Sequence, residues 1–292
     1  MRMRRLFIGL CMATVLGLSA AFAAEPSESL INPPDAHVRV RLESEVGFLS
    51  FLHHTFTAGP DAGSADTIDY VKEGGQDILF PFLRYTATLD IGERHHLRFL
   101  YQPLEVNTRT NFKSPRKIGD QTFDGPVALT YSFPFWRLGY SYDFISGPRW
   151  TMGGGGVLQL RNASIVFESL DSSGAAPALF VGQGPGPVPA LKLTGRYDHP
   201  AGWFAGFEAV GFYASSAFIN GASYDFEGSI LDSSLRAGLR LKGGFEPFLN
   251  LRFLGGTAKG TSESADDTWT GGAAYTSNYL ATWSLSIGAT LR

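Results

Sequence analysis

Charged and apolar residues alternate along much of this chain, and that spacing is where its chemistry is concentrated. Arg84, Asp90, Arg98, Gln102, Arg137, Asp143, Arg161, Lys192, Arg196, Glu208, Asp232, Arg236, Arg240 and Arg252 sit in stretches where every second residue is Leu, Ile, Tyr, Phe, Trp or another apolar type. In an extended strand, residues i and i+2 share a face, so these groups would stand together on one side of a sheet. Gathered there, arginines and carboxylates can pair into a hydrogen-bonded plug or line a narrow conduit. The excess of arginine would give such a conduit a mild preference for anions.

Histidine offers less. His53-His54 precede Asp61, Asp66, Asp69 and Asp77, but adjacent histidines in a strand point apart. A metal centre there would need the loop to fold back, and none is expected. His95-His96 follow a short turn and read as an interfacial pair. Gly153-Gly154-Gly155-Gly156 lacks the Lys-Ser/Thr of a phosphate loop, so a bend or a close strand approach is the expectation. The Gly- and Pro-rich run at 182–187 reads as a loop tip. No organic cofactor is implied.

Ten segments carry the alternation. They begin with Val38–Phe48, Leu79–Ile91, Leu97–Tyr101, Trp136–Phe144 and Trp150–Arg161, and continue with Leu191–Asp198, Trp203–Tyr213, Leu231–Leu241, Phe245–Phe253 and Ala281–Leu291. Short turns are expected at 92–94, 146–149, 198–202 and 242–244. Long polar loops are expected at about 52–76, 107–127, 168–189, 214–228 and 255–277. Short and long connections in turn are the rhythm of a closed antiparallel transmembrane β-barrel. The fold expected is therefore all-β, a barrel of ten strands. Eight or twelve stay open, because residues 111–134 could hide another hairpin. Trp136, Tyr140, Trp150, Trp203, Tyr213 and Trp283 would lie near strand ends, in aromatic girdles at the lipid interfaces.

The beginning of the chain and its composition agree with export to a membrane. Met1-Arg2-Met3-Arg4-Arg5 precedes an apolar run ending at Ala21-Phe22-Ala23, the pattern of a cleaved signal peptide at 1–23. Residues 24–37 would follow as a periplasmic N-terminal segment, and 38–292 as the barrel. Cleavage leaves no cysteine and a net charge of −6. Only 17% of the 292 residues are charged, whereas 44% are hydrophobic and 13% aromatic. That balance suits a surface not wholly in water. Beyond residue 24 no apolar run is long enough for a transmembrane helix, which leaves strands as the way to cross a bilayer. A soluble periplasmic sandwich or a lipocalin-like barrel is the alternative.

The strand rhythm, with stretches such as Arg137-Leu138-Gly139-Tyr140-Ser141-Tyr142-Asp143-Phe144, resembles that of small bacterial outer-membrane β-barrel proteins. The chain departs from that group in ending Ala289-Thr290-Leu291-Arg292, where an aromatic residue is usual. The resemblance implies a monomer in the outer membrane with both termini periplasmic. Its partners would be lipid and lipopolysaccharide, with barrel-assembly machinery during insertion. Two enzyme groups on such barrels provide rival readings. The protease-type omptins carry Asp-x-Asp and Asp-x-His pairs high on the barrel, and the acids and histidines at 53–77 show neither spacing. Lipid A deacylases need His-x-Ser, and none of the six histidines has a serine two residues on. No basic patch with interleaved aromatics points to nucleic acid. The function expected is structural, or a narrow passive passage for small polar or anionic solutes. A rim hydrolase or a surface-loop binding protein is the alternative.

Overall fold

A computed structural model describes residues 29–33, 35–170, 178–216, 226–261 and 275–292. The leader expected over 1–23 lies outside them. Thirteen strands follow one another: β1 (Val38–Gly59), β2 (Thr67–Asp69), β3 (Phe80–Ile91), β4 (His95–Gln102), β5 (Glu105–Ile118), β6 (Gln121–Ser132), β7 (Phe135–Ser146), β8 (Trp150–Ser169), β9 (Leu179–Asp198), β10 (Trp203–Ser215), β11 (Phe226–Leu239), β12 (Phe245–Thr261) and β13 (Tyr275–Leu291). Ten of them close an antiparallel ring in the order β1-β3-β4-β7-β8-β9-β10-β11-β12-β13 and back to β1. These ten are the ten alternating segments of the sequence.

The ring forms because its outer face is apolar and its strands have no free edge. Leu191, Leu235, Phe48, Ile287 and Leu249 are 70%, 65%, 62%, 60% and 58% exposed, all on that outer face. An apolar surface of this extent is at home in hydrocarbon and not in water. About 9–11 tilted residues cross a bilayer. β1, with 22 residues, and β12 and β13, with 17 each, therefore run well beyond it.

The connections at one end are short, at 92–94, 147–149, 199–202 and 240–244, and both described termini lie at that end. Gly92, at φ 62°, adopts a turn conformation that a side chain disfavours. Ser29 donates to the carbonyl of Arg292, and the Asn32 side chain bonds both N–H and C=O of Val40, at 2.7 and 2.8 Å. The N-terminal segment is thus tied to the short-turn end. In the wall, a Cβ on Gly155 would come within 1.9 Å of the Tyr140 carbonyl, so this glycine permits the close approach of β7 and β8.

The long-loop end differs from the sequence expectation. The stretch 107–127, expected as a loop, is the hairpin β5–β6, continuing β4 and β7 beyond Pro103 and Pro134. β6 pairs with β8 at Val127–Ser132. Residues 52–59 and 255–261, also expected as loop, extend β1 and β12. The Gly- and Pro-rich run at 182–187 is not a loop tip but part of β9, paired residue by residue with β8. Leu52 is an extra residue between Phe51 and His53 in the pairing of β1 with β13, a bulge that shifts the inward phase onto His54.

One face of the β5–β6 hairpin packs onto the inward faces of β1, β8 and β9. Phe56, Phe112, Phe123, Tyr131, Phe167 and Phe180 are among the residues buried there. The hairpin tip joins the end of β1, where Gly119 N–H donates to the Ala58 carbonyl at 2.8 Å. Arg116 pairs with Glu73 at 2.5 Å, fixing the segment around β2 beneath the hairpin.

Candidate functional site

Inside the ring, the side chains form three layers. The middle layer is ionic. Asp232 on β11 receives Arg84 on β3, Arg137 on β7 and Arg252 on β12, at 3.3, 2.8 and 2.6 Å. Glu208 on β10 pairs with Arg98 on β4 and with Lys192 on β9, the latter at 3.1 Å. Glu45 on β1 accepts from Asn250 and Ser286, at 2.7 and 2.8 Å, and lies 3.6 Å from Arg252. Gln102 and Gln159 accept from Arg84 and Arg137, at 2.9 and 2.6 Å.

Every one of the ten ring strands contributes to this layer, and several pairs join opposite walls. β11 and β3 lie across the ring from each other, as do β4 and β10. Arg84 and Asp232 are each 1% exposed and Arg252 is 2% exposed, so the layer fills its cross-section. Charges this far from water persist only when paired and hydrogen-bonded, which is the arrangement seen.

Towards the short-turn end lies a charged vestibule of about 380 Å³. Asp90 pairs there with Arg41 at 2.6 Å, and His96 bridges Asp90 and Asp143, at 2.6 and 2.9 Å. Arg236 holds Glu43 at 2.7 Å and lies over the Phe248 ring. Arg196 reaches Asp198 and Glu246, each at 2.9 Å. The histidine pair 95–96 is therefore divided, which corrects the interfacial reading of both. His96 faces the vestibule, and only His95 is outside, bonded to Tyr140 at 2.8 Å. Strand alternation is the reason. Arg240 also departs from its lumen assignment: it lies past the end of β11, 39% exposed, donating to the His199 carbonyl in the neighbouring turn.

Towards the long-loop end the lumen is aromatic. His54 is fully buried between Tyr70 and Phe51, with ring centroids 4.3 and 5.4 Å away, and its Nδ1 bonds Gln76 at 2.7 Å. His53 faces outward against Tyr279. Beside this cluster is a second cavity, of about 530 Å³, lined by Tyr131, Phe133, Arg161, Val188, Phe212, Ile230 and Leu280 among others. Arg161, placed in the lumen by the sequence, stands here and not in the ionic layer. Glu45, His54, Gln76 and Tyr131 also face the lumen, beyond the residues that the alternation assigns to it. Their inward phase was readable for Glu45, but not for His54 beyond the bulge.

Five of the six aromatics expected at the lipid interfaces, Trp136, Tyr140, Trp150, Trp203 and Tyr213, are exposed on the outer wall. Trp150 and Trp203 open β8 and β10 at the short-turn end, flanking Tyr197 at 4.6 and 5.5 Å. Tyr140 faces out on β7. Trp136 stacks on Tyr101 at 5.3 Å, and Tyr213 bonds Glu227 at 3.1 Å towards the long-loop end. Trp283 is not at a strand end: β13 continues from it for eight residues to Tyr275.

An all-β ring with an apolar exterior and an ionic lumen defines an integral outer-membrane β-barrel of the bacterial kind. No protein-family model matches the sequence, and no curated protein matches it. Among solved structures the chain is similar to the outer membrane protease OmpT from Escherichia coli, at TM-score 0.54 and 10% identity, covering 90% of this chain and 99% of that one. Others are a Pseudomonas aeruginosa FadL homologue, at 0.35 and 9% over 87% and 90%, and the Yersinia pestis attachment invasion locus protein Ail, at 0.33 and 8% over 86% and 99%. The first of these likenesses bears on the fold and on nothing finer. One Asp-x-His spacing does occur in the chain, Asp35-Ala36-His37, away from the acids and histidines at 53–77. It lies at the short-turn end, ahead of β1.

Proposed function

We propose that this protein is a sealed outer-membrane barrel that acts by binding at its long-loop end, and is neither an open passage nor an enzyme. The long loops face the cell exterior and the termini the periplasm, which follows from short turns being periplasmic in such barrels. Lipid and lipopolysaccharide surround the apolar wall, and the barrel works as a monomer.

The observation that carries this reading is the ionic layer. Side chains from opposite walls meet at Asp232 and Glu208, and the aromatic cluster lies over them, so an ion crossing the lumen would have to break buried pairs. Such pairs cost about 3–5 kcal/mol each to disrupt by loss of one partner. The vestibule below the layer is therefore closed at its inner end.

The test is single-channel recording on folded protein in a planar bilayer. Silence from protein shown to be folded is the expected result. Discrete steps scaling with salt would overturn the sealed reading, and a changed reversal potential in Arg98→Ser and Arg236→Ser would then identify the selectivity elements of a passage.

A further inference from the structure

The wall of the barrel is not zipped throughout. β9 and β10 pair from Phe204↔Asp198 to Gly211↔Leu191 and no further, although both strands continue. The cause lies in the sequence of β9. Pro185, Pro187 and Pro189 recur every second residue, so their missing N–H groups all belong to one edge. The other edge is occupied by β8 without a register break, which leaves the donor-poor edge facing β10. A seam results beside Val188 of β9 and Phe212 and Ala214 of β10, and those residues line the 530 Å³ chamber.

The chamber is hollow because inward positions around it are small. Gly256, Ala258 and Gly260 continue the inward phase of Arg252 and Leu254 on β12, and Gly228 does so on β11. Its volume lies in the roughly 300–1,000 Å³ range of small-molecule sites, and its lining is mainly apolar.

Several polar residues interrupt that lining, Glu227, Ser229, Thr257 and Lys259 among them, and three others each keep a buried polar atom without a hydrogen-bond partner among the described residues. Arg161 makes no ion pair there, and its buried Nε has no hydrogen-bond partner. The Tyr131 hydroxyl, on a residue 1% exposed, and the Asn278 Oδ1 are buried without a well-formed hydrogen bond, although the Asn278 side chain stands beside both Tyr131 and His54. Every other arginine of the ionic layer and vestibule named above has a carboxylate. A guanidinium, a hydroxyl and an amide that can turn its NH₂ inward make a donor set for one anion.

We propose that the chamber binds a single-chain amphiphile with a carboxylate head, its head on Arg161, Tyr131 and Asn278 and its chain against Phe212, Ile230 and Leu280, entering through the seam between β9 and β10. The seam lies beside Tyr213, Glu227 and Lys259, which pair with one another at the edge of the chamber; a polar cluster of this kind on a lipid-facing wall would suit the headgroup level, where a carboxylate amphiphile keeps its head. This assignment rests on the binding reading above and adds the ligand class to it.

Residues 24–292 reconstituted in phosphatidylcholine vesicles provide the test, with radiolabelled laurate and uncharged dodecanol as probes at pH 8.5 and protein-free vesicles as the blank. Saturable laurate binding is expected, with dodecanol about tenfold weaker. Arg161→Gln should bring laurate to the dodecanol level and leave dodecanol unchanged. Ala258→Phe, which fills the chamber, should abolish saturable binding of both. Each variant is checked for heat-modifiable migration in detergent gels, and if Ala258→Phe does not fold, Arg161→Gln decides alone. Equal binding of the two probes, no saturable laurate binding, or an unaltered Arg161→Gln would overturn the proposal. Absent laurate binding in a silent barrel removes only the ligand class, whereas conductance steps remove the sealed reading whatever laurate does.

Discussion

Asparagine at position 232 keeps the shape of the aspartate and removes the charge on which three guanidiniums converge. Arg84, Arg137 and Arg252 lie 3.3, 2.8 and 2.6 Å from the carboxylate, and Asp232 is 1% exposed, so water cannot take its place without opening the layer. Removing one partner of a buried pair costs about 3–5 kcal/mol. Arg252 retains Glu45 at 3.6 Å and Arg84 retains Glu208 at 3.6 Å, which keeps the expected loss within that range instead of three times it. With a urea m-value of roughly 3 kcal/mol/M, the unfolding midpoint in detergent should fall by about 1–2 M. The assay is tryptophan fluorescence against urea, followed in both directions. Adding Arg137→Gln removes the guanidinium that is left with no carboxylate and should recover part of the loss, a coupling of about 0.5–3 kcal/mol. A midpoint shift in Asp232→Asn below about 0.3 M would refute the reasoning, because on that same m-value the loss would be under about 1 kcal/mol, the range of an exposed pair.

Other outcomes follow from the wall. Gly155→Val should prevent folding, since its Cβ would meet the Tyr140 carbonyl, whereas Gly156→Ala, with nothing within 4 Å, should keep heat-modifiable migration. Because residues 24–292 contain no cysteine, engineered pairs report strand spacing cleanly. Leu193→Cys with Ala209→Cys, paired in the ladder, should crosslink on mild oxidation, and Pro189→Cys with Tyr213→Cys, across the seam, should not. Arg116→Ala should loosen the segment around Glu73, seen as proteolysis of the long-loop end with the barrel core left intact.

Period-two alternation marked every ring strand, because lipid on one side and a charged lumen on the other impose opposite polarity on neighbouring residues. The same argument explains what escaped it. Val127, Leu129, Tyr131, Phe133 and Phe135 also alternate, but their apolar face, on the hairpin and the stretch that follows it, is turned into the protein interior. Period alone cannot distinguish hydrocarbon from a protein interior. Gly119-Asp120, the turn of β5–β6, was a hairpin signal flanked by residues too polar to read as membrane strands. The bulge at Leu52 exchanged the roles of His53 and His54, a change of phase that no composition reveals. The ionic layer was legible as a face, since inward arginines and acids could be named. Which acid meets which arginine depends on the stagger of strands around the ring, and that is a property of closure.

The three prolines of β9 have one more consequence. A strand edge left unpaired is a template on which another polypeptide can build, and barrels crowded in a membrane would present such edges to one another. An edge that offers carbonyls at alternate residues but no N–H cannot complete a ladder with a neighbour. On its β9 side the opening is thus closed by chemistry to a foreign backbone, whereas a molecule without one needs no ladder to pass.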